Sequence, residues 1–184
     1  MIAHFLGDFV FQSNELILKK YKSWHGTLEH AAIVTAFTIL LMGPYLGHAR
    51  AWIVVGSIFA IHFVQDVLKV EYDKRLNKKK SIAPFFADQA GHLLLIFLIG
   101  RGFESLEPFK MPEWLGTIYF SSSAAILFVS LILVSYVLDI AFFQVKLSKN
   151  KNKELRYNPD YVGMLQRLMA FVVFYLFFFV LYHF

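Results

Sequence analysis

The chain has 184 residues and a mass of 21.3 kDa, with 58% hydrophobic and 17% charged residues; soluble domains run at roughly 45–50% apolar, so the composition argues against a water-soluble globular domain. Eighteen Lys and Arg against 13 Asp and Glu give a formal charge of +5, and the basic residues cluster in short stretches between apolar runs, the pattern of a multi-pass membrane protein and not of a nucleic-acid-binding surface. With no cysteine, disulfides, thiolate zinc sites and cysteine nucleophiles are excluded.

The length suits one all-α integral membrane bundle over residues 1–184, with about six helices at ~20 residues per crossing. The first apolar run, 2–18, has no basic leader or small-residue cleavage site and reads as retained structure. It is short and polar on one side, so crossing and re-entrant geometries both stay open. It ends at Lys19, Lys20 and Lys22. A second helix is predicted over 27–46, stopped by Gly43 and Pro44. The third, 51–70, precedes a loop over 71–80 that holds Lys74, Arg75, Lys78, Lys79 and Lys80. Ser81 and Pro84 open a fourth helix, 84–101, since proline suits a first turn whose N–H groups lack partners.

Residues 102–116 carry Glu104, Glu107 and Glu113 with Pro108 and Pro112 and read as an outward loop. A fifth helix, 117–145, leads to a linker with Lys146, Lys149, Lys151, Lys153 and Arg156. Asn158 and Pro159 then start a last helix, 159–184. If all six runs cross a cytoplasmic membrane, the basic loops lie in the cytosol and both termini lie outside. Trp24, Trp52 and Trp114 fall at predicted helix ends, where indoles favour the interface.

Ionisable side chains at membrane depth cost roughly 2.5–3.5 kcal/mol each on insertion scales, so those present point to function. His4, Asp8 and Gln12 form one stripe on the first helix, and His62, Asp66 and Lys69 another on the third. Asp88, Gln89 and His92 lie on the fourth, with Asp88 and His92 one turn apart. The second helix begins with Glu29 and His30, the fifth holds Asp139, and the last holds Gln166 and Arg167. At ~1.5 Å per residue, Asp8 and His62 come out near mid-membrane, and Gln12, His30, Asp66, Asp88, His92, Asp139 and Arg167 nearer the cytosolic face. His4-Phe5-x-x-Asp8 and His62-Phe63-x-x-Asp66 share their spacing, and the helix after each brings an acid and a histidine, the mark of a weak internal repeat of two hairpins.

Imidazole and carboxylate one turn apart suit Zn²⁺, Mn²⁺ or Fe²⁺. The expected metal ligands are His62, Asp66, Asp88 and His92, with Asp8 as a further ligand or general base. Gln12, His30, Gln89 and Asp139 stand behind them, and Arg167 is the expected clamp on developing negative charge, a role Lys69 shares unless it snorkels to the headgroups. Hydrolysis or transfer on a lipid-like or phosphate-containing substrate is the leading expectation. A proton- or ion-coupled transporter, working through a homo-oligomer because the chain is small, uses the same ladder. A non-catalytic membrane subunit, in which the polar network only specifies helix packing, is the third reading.

The run Ala3 to Gln12, His30, the series His62-Phe63-Val64-Gln65-Asp66-Val67-Leu68-Lys69, and Asp88-Gln89-Ala90-Gly91-His92 resemble the bacterial integral-membrane family filed as DUF3307. The likeness covers mainly residues 2–100 and implies a polytopic inner-membrane protein without an established activity. Gly163-Met164-Leu165-Gln166-Arg167 resembles a Gly-x-Leu-Glu-Arg-like segment of related chains, with Gln166 in place of the acid. In His/Asp spacing alone the chain is also similar to small membrane proteins regarded as metal-dependent hydrolases.

Overall fold

The computed structural model describes residues 1–76, 82–101, 106–149 and 157–183. Lys78, Lys79, Lys80, Ser81, Glu104, Lys151, Lys153 and Arg156 therefore lie outside the described residues. The first apolar run divides. Helix α1, Ile2–Phe5, passes into a π-helical turn, Leu6–Val10, and the chain then breaks before α2, Asn14–Lys22. The break replaces the single helix expected over 2–18. Its cause is Ser13, whose Oγ accepts from the Leu16 N–H at 3.2 Å, because a serine satisfies a new helix start better than a helix interior.

Helix α3, Trp24–Leu41, folds directly back on α2 through Ser23. The approach is so close that a Cβ on Gly26 would collide with the Lys19 backbone. A 3-10 turn at Gly43–Tyr45 leads to α4, Ala49–Leu76. This helix continues six residues past its expected end at 70, turning part of the predicted basic loop into helix. No Gly or Pro interrupts Glu71 to Leu76, the basic side chains suit a helix C-terminus, and Lys74 pairs with Glu71 at 3.0 Å. Helix α5, Ile82–Gly100, carries Pro84 in its first turn as expected.

The predicted fifth helix also divides, into α6, Glu113–Tyr119, and a long rod. Ser121 caps the rod by accepting from the Ala124 N–H at 3.1 Å. Within the rod, α7, Ser122–Ile132, a π-helical turn, Leu133–Val137, and α8, Leu138–Lys149, run on without interruption. Helix α9 covers Tyr161–His183. No strand occurs among the described residues.

Among the described residues, four segments are long and apolar enough to cross a membrane: Ala49–Arg75, Ala83–Gly100, Ser122–Lys149 and Tyr161–Phe178. Helix α3, with His25, Glu29 and His30 in its first half, falls outside that set. The outside of the molecule is apolar, with Val173, Phe174, Phe177 and Leu181 of α9 all exposed. The inside is the reverse of a soluble core, because His4, Asp8, Lys20, His30, His62, Asp66, Asp88 and His92 are buried.

Two close contacts set the frame around these groups. Gly7 lets α1 rest on Val34 of α3, where any Cβ would overlap the valine. Phe5, Phe9, Phe85 and Ile132 form an apolar cluster joining α1, α5 and α7. At the far end, the Phe109 N–H donates to the Pro44 carbonyl at 2.8 Å, and Gly47 leaves space for the Phe109 ring. Gly26→Ala forces backbone apart and should destabilise by ~1–3 kcal/mol. Gly56→Ala, whose Cβ meets nothing within 4 Å, should be neutral or stabilising, since alanine favours a helix interior. Thermal unfolding in detergent separates the two.

Candidate metal centre

Helical spacing aligns the pairs His4/Asp8, His62/Asp66 and Asp88/His92, and the packing of α1, α3, α4 and α5 brings the pairs together with His30. His30 Nε2 lies 3.2 Å from Asp8 Oδ1 and 3.6 Å from Asp66 Oδ2. His62 Nε2 lies between the same two acids, 3.6 Å from Asp8 Oδ1 and 3.9 Å from Asp66 Oδ2. His92 Nε2 faces Asp66 Oδ1 at 3.7 Å, and His4 Nδ1 faces Asp8 Oδ1 at 3.4 Å. All seven side chains are buried, His30 completely.

The hydrogen bonds around the histidines decide which nitrogen looks inward. His4 Nε2 donates to Gln89 Oε1 at 3.2 Å. His92 Nδ1 donates to the Asp88 carbonyl at 3.0 Å. The Gln12 amide lies 3.4 Å from His30 Nδ1. With its nitrogen donating to the Asp8 carbonyl and its oxygen accepting from Lys20 Nζ at 3.1 Å, that oxygen also receives the His30 Nδ1 proton. In each case the outer nitrogen carries the hydrogen and the inner one keeps its lone pair. His4 Nδ1, His30 Nε2, His62 Nε2, His92 Nε2, Asp8 Oδ1 and Asp88 Oδ1 are all buried without a hydrogen-bond partner. Groups so placed are costly unless something satisfies them. Fixing the tautomer from behind is how proteins orient imidazoles toward a metal.

Two lysines offset part of the acidic charge. Lys20 Nζ lies 2.5 Å from Asp66 Oδ2 and Lys69 Nζ 2.9 Å from Asp88 Oδ2. Lys69 thus points to the cluster; the snorkelling alternative does not describe it. Gln89 donates to Asp88 Oδ2 at 3.2 Å and reaches Asp8 Oδ2 at 3.5 Å. Three carboxylates against two ammonium groups leave a net negative charge when the histidines are neutral, which favours a cation. Three ligand sets have atoms within 4.8 Å of one another: His4, Asp8 and His62; His30, His62 and Asp66; Asp66, Asp88 and His92.

A cleft of about 130 Å³ reaches this floor. Asp8, Asp66, Asp88, Lys20 and Lys69 bring charge to its lining, and Phe9, Phe85, Ile140 and Phe143 bring apolar surface; the four histidines lie behind the acids, outside that lining. Tyr21 and Tyr157 stand in the same lining. Tyr21 donates to Asp73 Oδ2 at 2.7 Å, tying α2 to α4, and burial together with that carboxylate pushes its phenol up, so the donor persists across the neutral range.

Asp139 and Arg167 form a second polar node and do not enter the cluster. Arg167 Nη2 donates to Asp139 Oδ1 at 2.9 Å, and its Nε donates to the Val134 carbonyl at 3.1 Å. That carbonyl lies in the π-helical turn, where the regular ladder is displaced. Tyr157 donates to Asp139 Oδ2 at 2.8 Å, and burial followed by the Asp139 charge raises its phenol pKa. Arg167 therefore holds the rod to α9 and stands away from the site where it was expected to clamp charge.

Sequence reasoning did not assign Lys20, Gln65 or, as a ligand in its own right, His4. Lys20 follows an apolar run with two other lysines and resembles a topology signal. The available cue was Leu16 and Lys20 at i, i+4, the two buried residues of α2. Gln65, beside Asp66, donates to the Asp88 carbonyl at 3.0 Å.

Residues 1–115 match the family described as Protein of unknown function (DUF3307). The chain belongs to that family. Every histidine and aspartate of the cluster lies within the matched DUF3307 region, whereas α7, α8 and α9 lie beyond it. Comparison with curated proteins and with solved structures returns no match. Asp139→Ala should cost up to about 3 kcal/mol, the lower end for breaking a buried pair, because Arg167 keeps partial solvent contact. Metal analysis of the purified variant should match wild type if the node is structural.

Proposed function

We propose that this DUF3307 chain is a multi-pass inner-membrane protein whose His/Asp centre binds a divalent ion, Zn²⁺, Mn²⁺ or Fe²⁺, and supports hydrolysis or group transfer on a lipid-like, phosphate-containing substrate. In this reading all six apolar runs cross or dip, α1 and α2 form the short first unit, the basic segments face the cytosol and both termini lie outside. One observation carries the metal: inward nitrogens of four buried histidines converge on carboxylate oxygens at 3.2–3.7 Å without an aligned hydrogen bond, and three of those rings have their other nitrogen facing an acceptor.

When bound, the ion polarises a phosphoryl or acyl oxygen and acidifies water. The protein's own groups do the rest. Apolar surface at Phe9, Phe85, Ile140 and Phe143 accepts a hydrocarbon portion, while Lys20 and Lys69 in the same lining favour an anionic head. Asp8, whose Oδ1 faces three histidines while Oδ2 meets Gln89 only at 3.5 Å, is placed to take a proton from water on Oδ2. Hydrolysis joins the water oxygen to phosphorus or the acyl carbon, breaks the ester bond to the leaving oxygen, and returns a proton to that oxygen.

The transport reading needs a polar path away from the cluster on a second side. The other cavity touching it, at His62, Gln65 and His92, measures about 10 Å³ and is otherwise walled by isoleucine and leucine. That is at the limit for one water molecule, which favours an enzyme with one entrance. Elemental analysis of detergent-purified protein should find bound metal, and Asp66→Ala should lower metal affinity at least ~100-fold, the upper scale for losing even an outer-sphere partner. Phosphate release from a short-chain phosphatidic acid should fall with it. Metal-free protein after loading, with phosphate release unchanged in Asp66→Ala, would overturn the proposal.

A further inference from the structure

The cluster is assembled twice over. In α1, the π-helical turn after it and α3, His4 and Asp8 stand one turn apart, and His30 turns Nε2 toward Asp8 at 3.2 Å while Gln12 meets its Nδ1. In α4 and α5, His62 and Asp66 stand one turn apart, and His92 turns Nε2 toward Asp66 at 3.7 Å while Gln65 meets its Nδ1 at 3.1 Å. Each half thus offers a His-x-x-x-Asp helix and a histidine from the next helix; the glutamine beside that histidine presents its oxygen at His30, and at His92 the amide nitrogen that donates to the Asp88 carbonyl. The shared spacing His-Phe-x-x-Asp is the sequence trace of the same arrangement.

We infer that the centre holds two divalent ions, one at Asp8 and one at Asp66 and Asp88, with His62 of α4 reaching across to the first, rather than the single ion that the proposed function requires. The first and third ligand sets share no residue: His4, Asp8 and His62 on one side, and Asp66, Asp88 and His92 on the other. Both can be occupied at once without dividing a ligand. His62 Nε2 lies 3.6 Å from Asp8 and 3.9 Å from Asp66, so the two positions are neighbours, as in two-metal sites with ions ~3.5–4 Å apart. His30 Nε2, within 3.6 Å of both acids, is a further donor between them.

The halves are not equal. Asp88 precedes His92 by four residues, and the corresponding residue before His30 is Gly26. No side chain fits there, because a Cβ would enter the Lys19 backbone. The position at Asp8 therefore has one carboxylate fewer and binds its ion more weakly. Two divalent ions exceed the net negative charge left by three aspartates and two lysines, so an anion such as phosphate strengthens the second ion.

This inference rests on the proposed metal reading, and Mn²⁺ titration of the full chain in detergent tests them separately. The expected result is two equivalents, the second tightened by inorganic phosphate, with an exchange-coupled paramagnetic resonance spectrum when both are bound. His4→Ala and His92→Ala should each retain one equivalent and show an uncoupled spectrum. One equivalent in wild type, or an uncoupled spectrum at saturation, overturns the second ion and leaves the single-ion reading standing. No bound Mn²⁺, Zn²⁺ or Fe²⁺ overturns both. The wild-type stoichiometry and spectrum decide the question even if a variant fails to fold.

Discussion

Three buried aspartates, Asp8, Asp66 and Asp88, govern the rest of this molecule. A carboxylate withdrawn from water carries a desolvation penalty of several kcal/mol even after relaxation, and here three lie together in a bundle with an apolar exterior. Everything near them answers that cost in part. Lys20 and Lys69 supply positive charge, Gln89 bridges two of the acids, and four histidines crowd the remaining lone pairs. The compensation stops short, because six inward atoms remain without hydrogen bonds. Thr38 and Ser135, by contrast, satisfy their hydroxyls by donating to carbonyls of their own helices. The unmet demand is the structural argument for a cation.

The backbone is shaped around that demand. The break at Ser13 turns α2 away from the line of α1 and lets Lys20 arrive at Asp66 from the side. Gly7 and Gly26 bring α1 and α2 against α3 closely enough for His30 to face Asp8. Each device sacrifices regular helix, one through a cap and two through residues with poor helix propensity. The long rods α4 and α5 need less, a single close approach of Gly91 to the Gln65 side chain, since their His/Asp pairs follow from the 3.6-residue repeat.

That contrast explains what could be read beforehand. The pairs His62/Asp66 and Asp88/His92 were legible because i, i+4 geometry is local, and the helical character of the bundle followed from long apolar runs. The α2 reversal was not legible, since Ser13 competes as a cap only if the chain has somewhere to turn, which tertiary packing determines. Lys20 was hidden for the same reason, sitting between Lys19 and Lys22 with only its direction to distinguish it. Arg167 shows the opposite failure. Its depth could be estimated along the helix axis, but the side of the bundle that α9 occupies could not, and the carbonyls of a π-helical turn drew it to Asp139.

The cleft joins two stretches of chain with different standing. Its floor comes from residues inside the region that defines family membership, whereas Ile140, Phe143 and Tyr157 on its wall come from beyond that region. The buried acids and part of the wall beside them are thus carried by different stretches of one polypeptide, with Phe9 and Phe85 adding to that wall from the matched region. Exchange of the C-terminal portion would reshape part of the wall and the Ile132 contact with Phe5 and Phe9 while leaving Asp8, Asp66 and Asp88 in the chain.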